Sequence, residues 1–255
     1  MCALIDLSEC LMALADIDLL ALLIVTCGIL LQTSVGIGFG LMAAPLLYLI
    51  NPAFVPGPIL ILGFSLSLLV VFKAQSTLSW RRIMPAIIAR LPGSWCGAEL
   101  LVAVPQYGLS LMFGASLVLA VLLTWRTSRI TTSPRNLVIG GFFSGLIGTA
   151  TSIGGPPIAL VYQEQNRITA RNELAAFFLI GTPISIVMLV QQGLVDQASL
   201  LLSLGLLPGV LLGFWLATRL DGHINARSAK PVLLIISTAS ALLVLYRGLQ
   251  GWLVA

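Results

Sequence analysis

The longest stretch of this chain without an acidic, basic or histidine residue runs from Leu19 to Phe72. Four more such stretches follow, Leu100 to Trp125, Asn136 to Gln163, Leu174 to Val195 and Gln197 to Thr218. A helix needs about 20 apolar residues to cross the hydrocarbon core of a bilayer, and each stretch meets or exceeds that length. Hydrophobic residues make up 58% of the chain and charged ones 9%, whereas soluble domains carry roughly 25% charged residues. So much apolar surface needs lipid around it. The expectation is an all-α polytopic membrane protein.

Hydropathy divides the chain into eight blocks, at 19–50, 55–73, 83–104, 107–125, 136–163, 173–193, 197–218 and 229–248. As one helix the first would be about 48 Å long, far beyond a hydrocarbon core of about 30 Å. It is expected to be tilted, broken or folded back. The break is easy to place, because Ser34-Val35-Gly36-Ile37-Gly38-Phe39-Gly40 is followed by Pro45. In the fifth block Ser152-Ile153-Gly154-Gly155-Pro156-Pro157 interrupts an otherwise apolar run. Neighbouring Gly and Pro residues end helices.

The two breaks belong to an internal repeat. A shift of about 116 residues places Gly36-Ile37-Gly38 on Ser152-Ile153-Gly154, and the same shift places Leu91-Pro92-Gly93 with Gly97 on Leu207-Pro208-Gly209 with Gly213. We divide the chain into an acidic N-terminal segment 1–18, a first transmembrane repeat 19–126, a basic linker 127–135 and a second transmembrane repeat 136–255. Lys73, Arg81 and Arg82 follow the second block, Arg126, Arg129 and Arg135 the fourth, Arg167 and Arg171 the fifth, and Arg219, Arg227 and Lys230 the seventh. Basic loops face the cytoplasm. Single crossings by every block would put 126–135 and 167–171 on opposite sides. The conflict disappears if blocks 136–163 and 19–50 each enter and return. The two four-block halves then form an inverted repeat, each with a broken or re-entrant first block.

The N-terminal segment carries Asp6, Glu9, Asp16 and Asp18 without a basic residue, unlike a secretory signal. Cys2, Cys10, Cys27 and Cys96 are scattered and His223 is the sole histidine, so no metal centre or cofactor is expected. The net charge of +4 comes from basic residues at segment ends, which orients a membrane protein and leaves no soluble domain to hold nucleic acid.

Main chain that leaves its helix inside a bilayer exposes N–H and C=O groups, at several kcal/mol each unless they line a cavity or are buried in protein. Two breaks at matching positions therefore point to a central site. Gly36, Gly38, Gly154 and Gly155 allow a solute to approach the main chain, and the hydroxyls of Thr33, Ser34, Thr149, Thr151 and Ser152 with the amide of Gln32 supply hydrogen bonds. The competing reading is that these small residues only let helices pack closely. Arg90 and Glu99 are ionisable positions inside the third block; Arg90 is a candidate solute ligand or a snorkelling cation, and Glu99 a candidate for ion coupling. Nine residues apart on a helix, they point to opposite sides. Arg171 and Asn172 are placed at the cytoplasmic mouth, while Thr182-Pro183 and Gly63 mark kinks beside the site.

The two glycine-rich breaks and the paired Leu-Pro-Gly-x-x-x-Gly segments resemble the TauE/SafE family of sulfite and organosulfonate exporters, over essentially the whole chain. Phe39 interrupts the family's run of glycines in the first break, and Pro156 replaces a glycine in the second. The resemblance implies a multi-pass protein of the bacterial inner membrane that carries sulfite, a sulfonate, thiosulfate or a similar organic anion, coupled to an ion gradient. With that resemblance, the first reading is a secondary transporter working by alternating access, with a small anionic solute, the lipid bilayer and a coupling proton or sodium as partners. A homo-oligomer is compatible with it. No GxxxxGK[ST] motif is present, so this chain does not itself hydrolyse ATP. A membrane-embedded enzyme acting on a lipid or phosphate substrate is the alternative, and it would need clustered carboxylates, histidines or metal ligands. An anion channel is the third reading.

Overall fold

A computed structural model describes residues 19–36, 38–74, 78–125, 130–220 and 226–254. The acidic segment 1–18, residues 126–129 of the linker region and His223 lie outside the described residues. The ordered elements are helices α1 (Leu19–Val35), α2 (Phe39–Ile50), a short 3-10 turn (Pro52–Phe54), α3 (Gly57–Ala74), α4 (Trp80–Ala103), α5 (Gln106–Trp125), α6 (Pro134–Thr151), α7 (Gly155–Val161), α8 (Arg167–Gln191), α9 (Gln197–Arg219) and α10 (Ala226–Val254). Among the described residues, six helices are long and apolar enough to cross a membrane, namely α3, α4, α5, α8, α9 and α10.

Both long blocks are broken where the sequence predicts. In the first, Gly36 and Gly38 take φ of 92° and 148°, a region that side chains with a Cβ rarely enter. In the second, Ser152 ends α6 in the left-handed conformation with φ of 63°. Blocks 136–163 also fold back. The Thr132 hydroxyl before α6 donates to the Val161 carbonyl at the end of α7 (2.8 Å), and the Gln165 amide donates to the Thr132 hydroxyl (3.1 Å). The entry and exit of this pair are therefore neighbours. Among the helix boundaries that differ from the hydropathy blocks, two are set by caps. Pro134 and Arg135 begin α6 rather than ending the linker, because Ser133 caps the helix through the Asn136 N–H and proline suits the first turn. α8 starts at Arg167 instead of 173, under an Asn166 cap.

The main helix contacts pair segments that the shift of about 116 residues also relates in the sequence. α4 lies along α6, and its counterpart α9 lies along α1. The glycines of the paired Leu-Pro-Gly segments explain both contacts: Gly93 and Gly97 meet the carbonyls of Phe142 and Leu146, whereas at Gly213 a Cβ would stand 2.5 Å from the Thr26 carbonyl. Without a hydrophobic driving force between helices in lipid, such close backbone approach supplies the dispersion energy of association. α3 packs on α8 and α5 on α10, so each of these elements meets its own counterpart.

Polarity is distributed inside out. Arg90, Ser94, Ser144, Thr149 and Ser185 are buried, while Leu119, Leu122, Phe143, Leu211, Trp215 and Ile235 lie on the outside. Water would penalise that exterior; hydrocarbon does not.

Candidate functional site

The two breaks meet at the centre of the molecule. They line one cavity of about 70 Å³, room for several waters or a small oxyanion, with Gln32, Gly36, Gly38 and Gly40 from the first break and Ser152, Gly154 and Gly155 from the second. α3 contributes Gly63 and Ser67, α8 Phe178 and Thr182, and α4 Arg90.

Arg90 is the one cation in this wall, and it is 1% exposed. It does not snorkel. Its guanidinium donates to the hydroxyls of Ser144 on α6 and Ser185 on α8, each at 3.3 Å, and Nε has no partner. The rings of Phe177 and Phe178 lie 5.0 and 5.2 Å from its carbon centre. Gly181 makes room for it, since a Cβ there would collide with the Arg90 side chain. Ser185 is the hub of this cage, taking a hydrogen bond from Thr149 (2.8 Å) and pairing with Ser94 (3.1 Å). Ser144 in turn donates to the Gly154 carbonyl at 2.5 Å, which ties the cation to the second break.

Among the described residues the ion pair is Arg82 with Glu173 (3.2 Å), and no carboxylate pairs with Arg90. A buried charge held only by hydroxyls and rings is costly, and an anion in the adjoining cavity would offset that cost. Arg90 presents a planar set of donors to the wall of this cavity.

The other sequence-derived candidates separate into three groups. Gln32 lines the cavity and accepts the Phe39 N–H (2.9 Å) through its side-chain oxygen, so it caps α2 across the break. Ser152 lines the cavity while its hydroxyl donates to the Pro56 carbonyl at 2.8 Å. Thr149 belongs to the cage, whereas Thr151 bonds back to the Ile147 carbonyl (2.7 Å) and does not line the cavity. Ser34 is buried outside the cavity wall, and Thr33 lines a neighbouring space. Glu99 stands apart: it is exposed near the far end of α4 and accepts from the Gln192 amide at 2.9 Å. Sequence reasoning missed Ser144, Ser185, Ser94 and Glu173. The first three are single hydroxyls in apolar runs, and Glu173 is the first residue of its block, where a charge at a helix end carries no signal of its own.

Broken helices, an apolar exterior and an internal cavity define an all-α polytopic membrane protein. The chain belongs to the sulfite exporter TauE/SafE family, whose model matches residues 20–244. It is accordingly an exporter-like membrane protein and not an enzyme. No match was found among curated proteins or among solved structures.

Proposed function

We propose that the chain is a secondary transporter of the bacterial inner membrane for a small sulfur-containing or organic anion such as sulfite, a sulfonate or thiosulfate. The observation that carries this reading is the unpaired, buried Arg90 in a cavity lined by both helix breaks. The anion replaces the missing carboxylate, and Gln32, Ser152 and the glycine backbone at Gly36, Gly38, Gly154 and Gly155 complete its surroundings. The reciprocal packing of α4 on α6 and α9 on α1 supports two halves related as an inverted repeat. Rocking of one half against the other would expose the cavity to each side in turn. A proton or sodium gradient, or the solute's own gradient, drives the cycle.

Flux of labelled sulfite, thiosulfate and sulfoacetate into proteoliposomes, with and without a pH gradient, tests the proposal. Saturable flux that exchanges with solute on the far side is expected, and this behaviour separates a carrier from a channel. Arg90→Gln is expected to lower sulfite flux at least tenfold, the consequence of losing about 1.4 kcal/mol or more of binding. Arg90→Lys keeps the charge without the planar fork and is expected to recover only part of it. Unchanged flux in Arg90→Gln would remove the cavity from the transport path.

A further inference from the structure

The central cavity is the first of three spaces in a row. A constriction of about 20 Å³ shares Gln32, Gly36, Leu66, Ser67 and Leu174 with it. Beyond the constriction lies a vestibule of about 210 Å³, and these two share Thr33, Val70 and Arg171. The vestibule wall adds Lys73 from the end of α3. The three spaces thus adjoin in order, and the outermost is lined by Lys73 and Arg171.

Two features of this vestibule are unexplained by packing. Arg171 and Lys73 flank it, and among the described residues neither forms an ion pair. Thr33, 5% exposed, lines both spaces with a hydroxyl that has no hydrogen-bond partner. A buried hydroxyl left unsatisfied costs about 1 to 3 kcal/mol, so its place beside two cations suits a bound acceptor. The Arg171 guanidinium meanwhile donates to the Thr33 carbonyl (3.4 Å) and to the Asn172 side-chain oxygen (3.4 Å), both long contacts that leave donor capacity.

We propose that Arg171, Lys73 and the Thr33 hydroxyl form a second oxyanion site, a staging position in which a sulfonate or related anion rests before or after passing the constriction. It deepens the transport reading by giving the anion a station outside the central cavity. Because Arg171 also holds the last turn of α1 through the Thr33 carbonyl, an anion that draws on Arg171 loosens the contact beside the first break. Occupancy of the outer station and opening of the constriction are thereby coupled.

The test is protection of Arg171 from phenylglyoxal in the purified full-length protein in nanodiscs, read by peptide mass spectrometry. Methanesulfonate is the probe, since sulfite would add to the reagent's carbonyl groups. Methanesulfonate is expected to slow labelling of Arg171 in the wild type and equally in Arg90→Gln, which lacks the central cation. Lys73→Gln, a change at an exposed side chain, and Thr33→Val are each expected to raise the protecting concentration about tenfold, the factor carried by one charge-assisted or buried hydrogen bond. No protection in the wild type, or protection that disappears in Arg90→Gln, would overturn the staging site. Labelled sulfite flux in the same wild-type preparation judges the central cavity separately, so protection without flux would retain the outer site and remove the transport reading.

Discussion

Gly40 and Ser152 join the two helix breaks, since a Cβ on Gly40 would stand 2.6 Å from the Ser152 carbonyl oxygen. The breaks are therefore in contact with one another as well as with the same cavity, and the first cannot be widened without displacing the second.

A Gly40→Ala substitution is expected to push the two breaks apart at a cost of about 1 to 3 kcal/mol, the usual range for overpacking. Gly63→Ala is the matched control, because its added methyl would find the Phe39 ring at 4.0 Å, an ordinary contact. Thermal unfolding in detergent should show a lower midpoint for the Gly40 variant and a nearly unchanged one for the Gly63 variant. Equal midpoints would mean that the contact between the breaks yields freely.

The Arg82–Glu173 pair should respond unequally to loss of its two partners. Glu173 is 1% exposed, whereas the Arg82 side chain is 42% exposed and can turn to water. Arg82→Ala leaves a buried carboxylate alone, at a cost of about 3 kcal/mol; Glu173→Gln leaves a solvated guanidinium and costs less. Arg82→Ala combined with Glu173→Gln is expected to recover part of the loss. A larger destabilisation from Glu173→Gln would contradict the assigned burial of the pair.

Acid sensitivity should centre in part on Asp196, which caps α9 outside the membrane-spanning segment. The Ser199 backbone N–H (2.9 Å) and hydroxyl (2.8 Å) both donate to its carboxylate and hold its pKa below the ordinary 3.8. A depressed folded-state value contributes stability that is complete above the ordinary value and is lost as pH falls through the depressed one. The thermal midpoint of the wild type should accordingly drop faster below about pH 4 than that of Asp196→Asn, which keeps a capping oxygen but does not titrate. Parallel midpoint curves would show that the cap carries no charge-dependent stability.

Much of the membrane architecture was legible in the sequence because its signals are local. Charge-free runs announce spans, and Gly36, Gly38, Gly154 and Pro156 announce breaks through the backbone conformations they permit or forbid. The fold-back of α6 and α7 was legible too, from the clash between basic loops on either side of one block. The site was less so. Arg90 was visible as an anomaly in an apolar block, but its cage draws Ser144 and Ser185 from two other helices, and a lone serine in such a run looks the same whether it binds a distant cation or its own helix. Thr151 illustrates this, since its hydroxyl returns to Ile147 on α6 itself. Glu173 was missed because its meaning comes from Arg82, on a helix far away along the chain.

The cage around Arg90 also has a consequence for how the polypeptide is made. Its serine partners are encoded 54 and 95 residues later, so α4 emerges from the ribosome with its cation unsatisfied and stays so until α6 and then α8 have been synthesised. Until those helices arrive, membrane insertion of α4 bears the cost of an uncompensated cation, about 3 kcal/mol on insertion scales. A chain that stops before residue 185 therefore lacks one of the two hydroxyls that receive the Arg90 guanidinium.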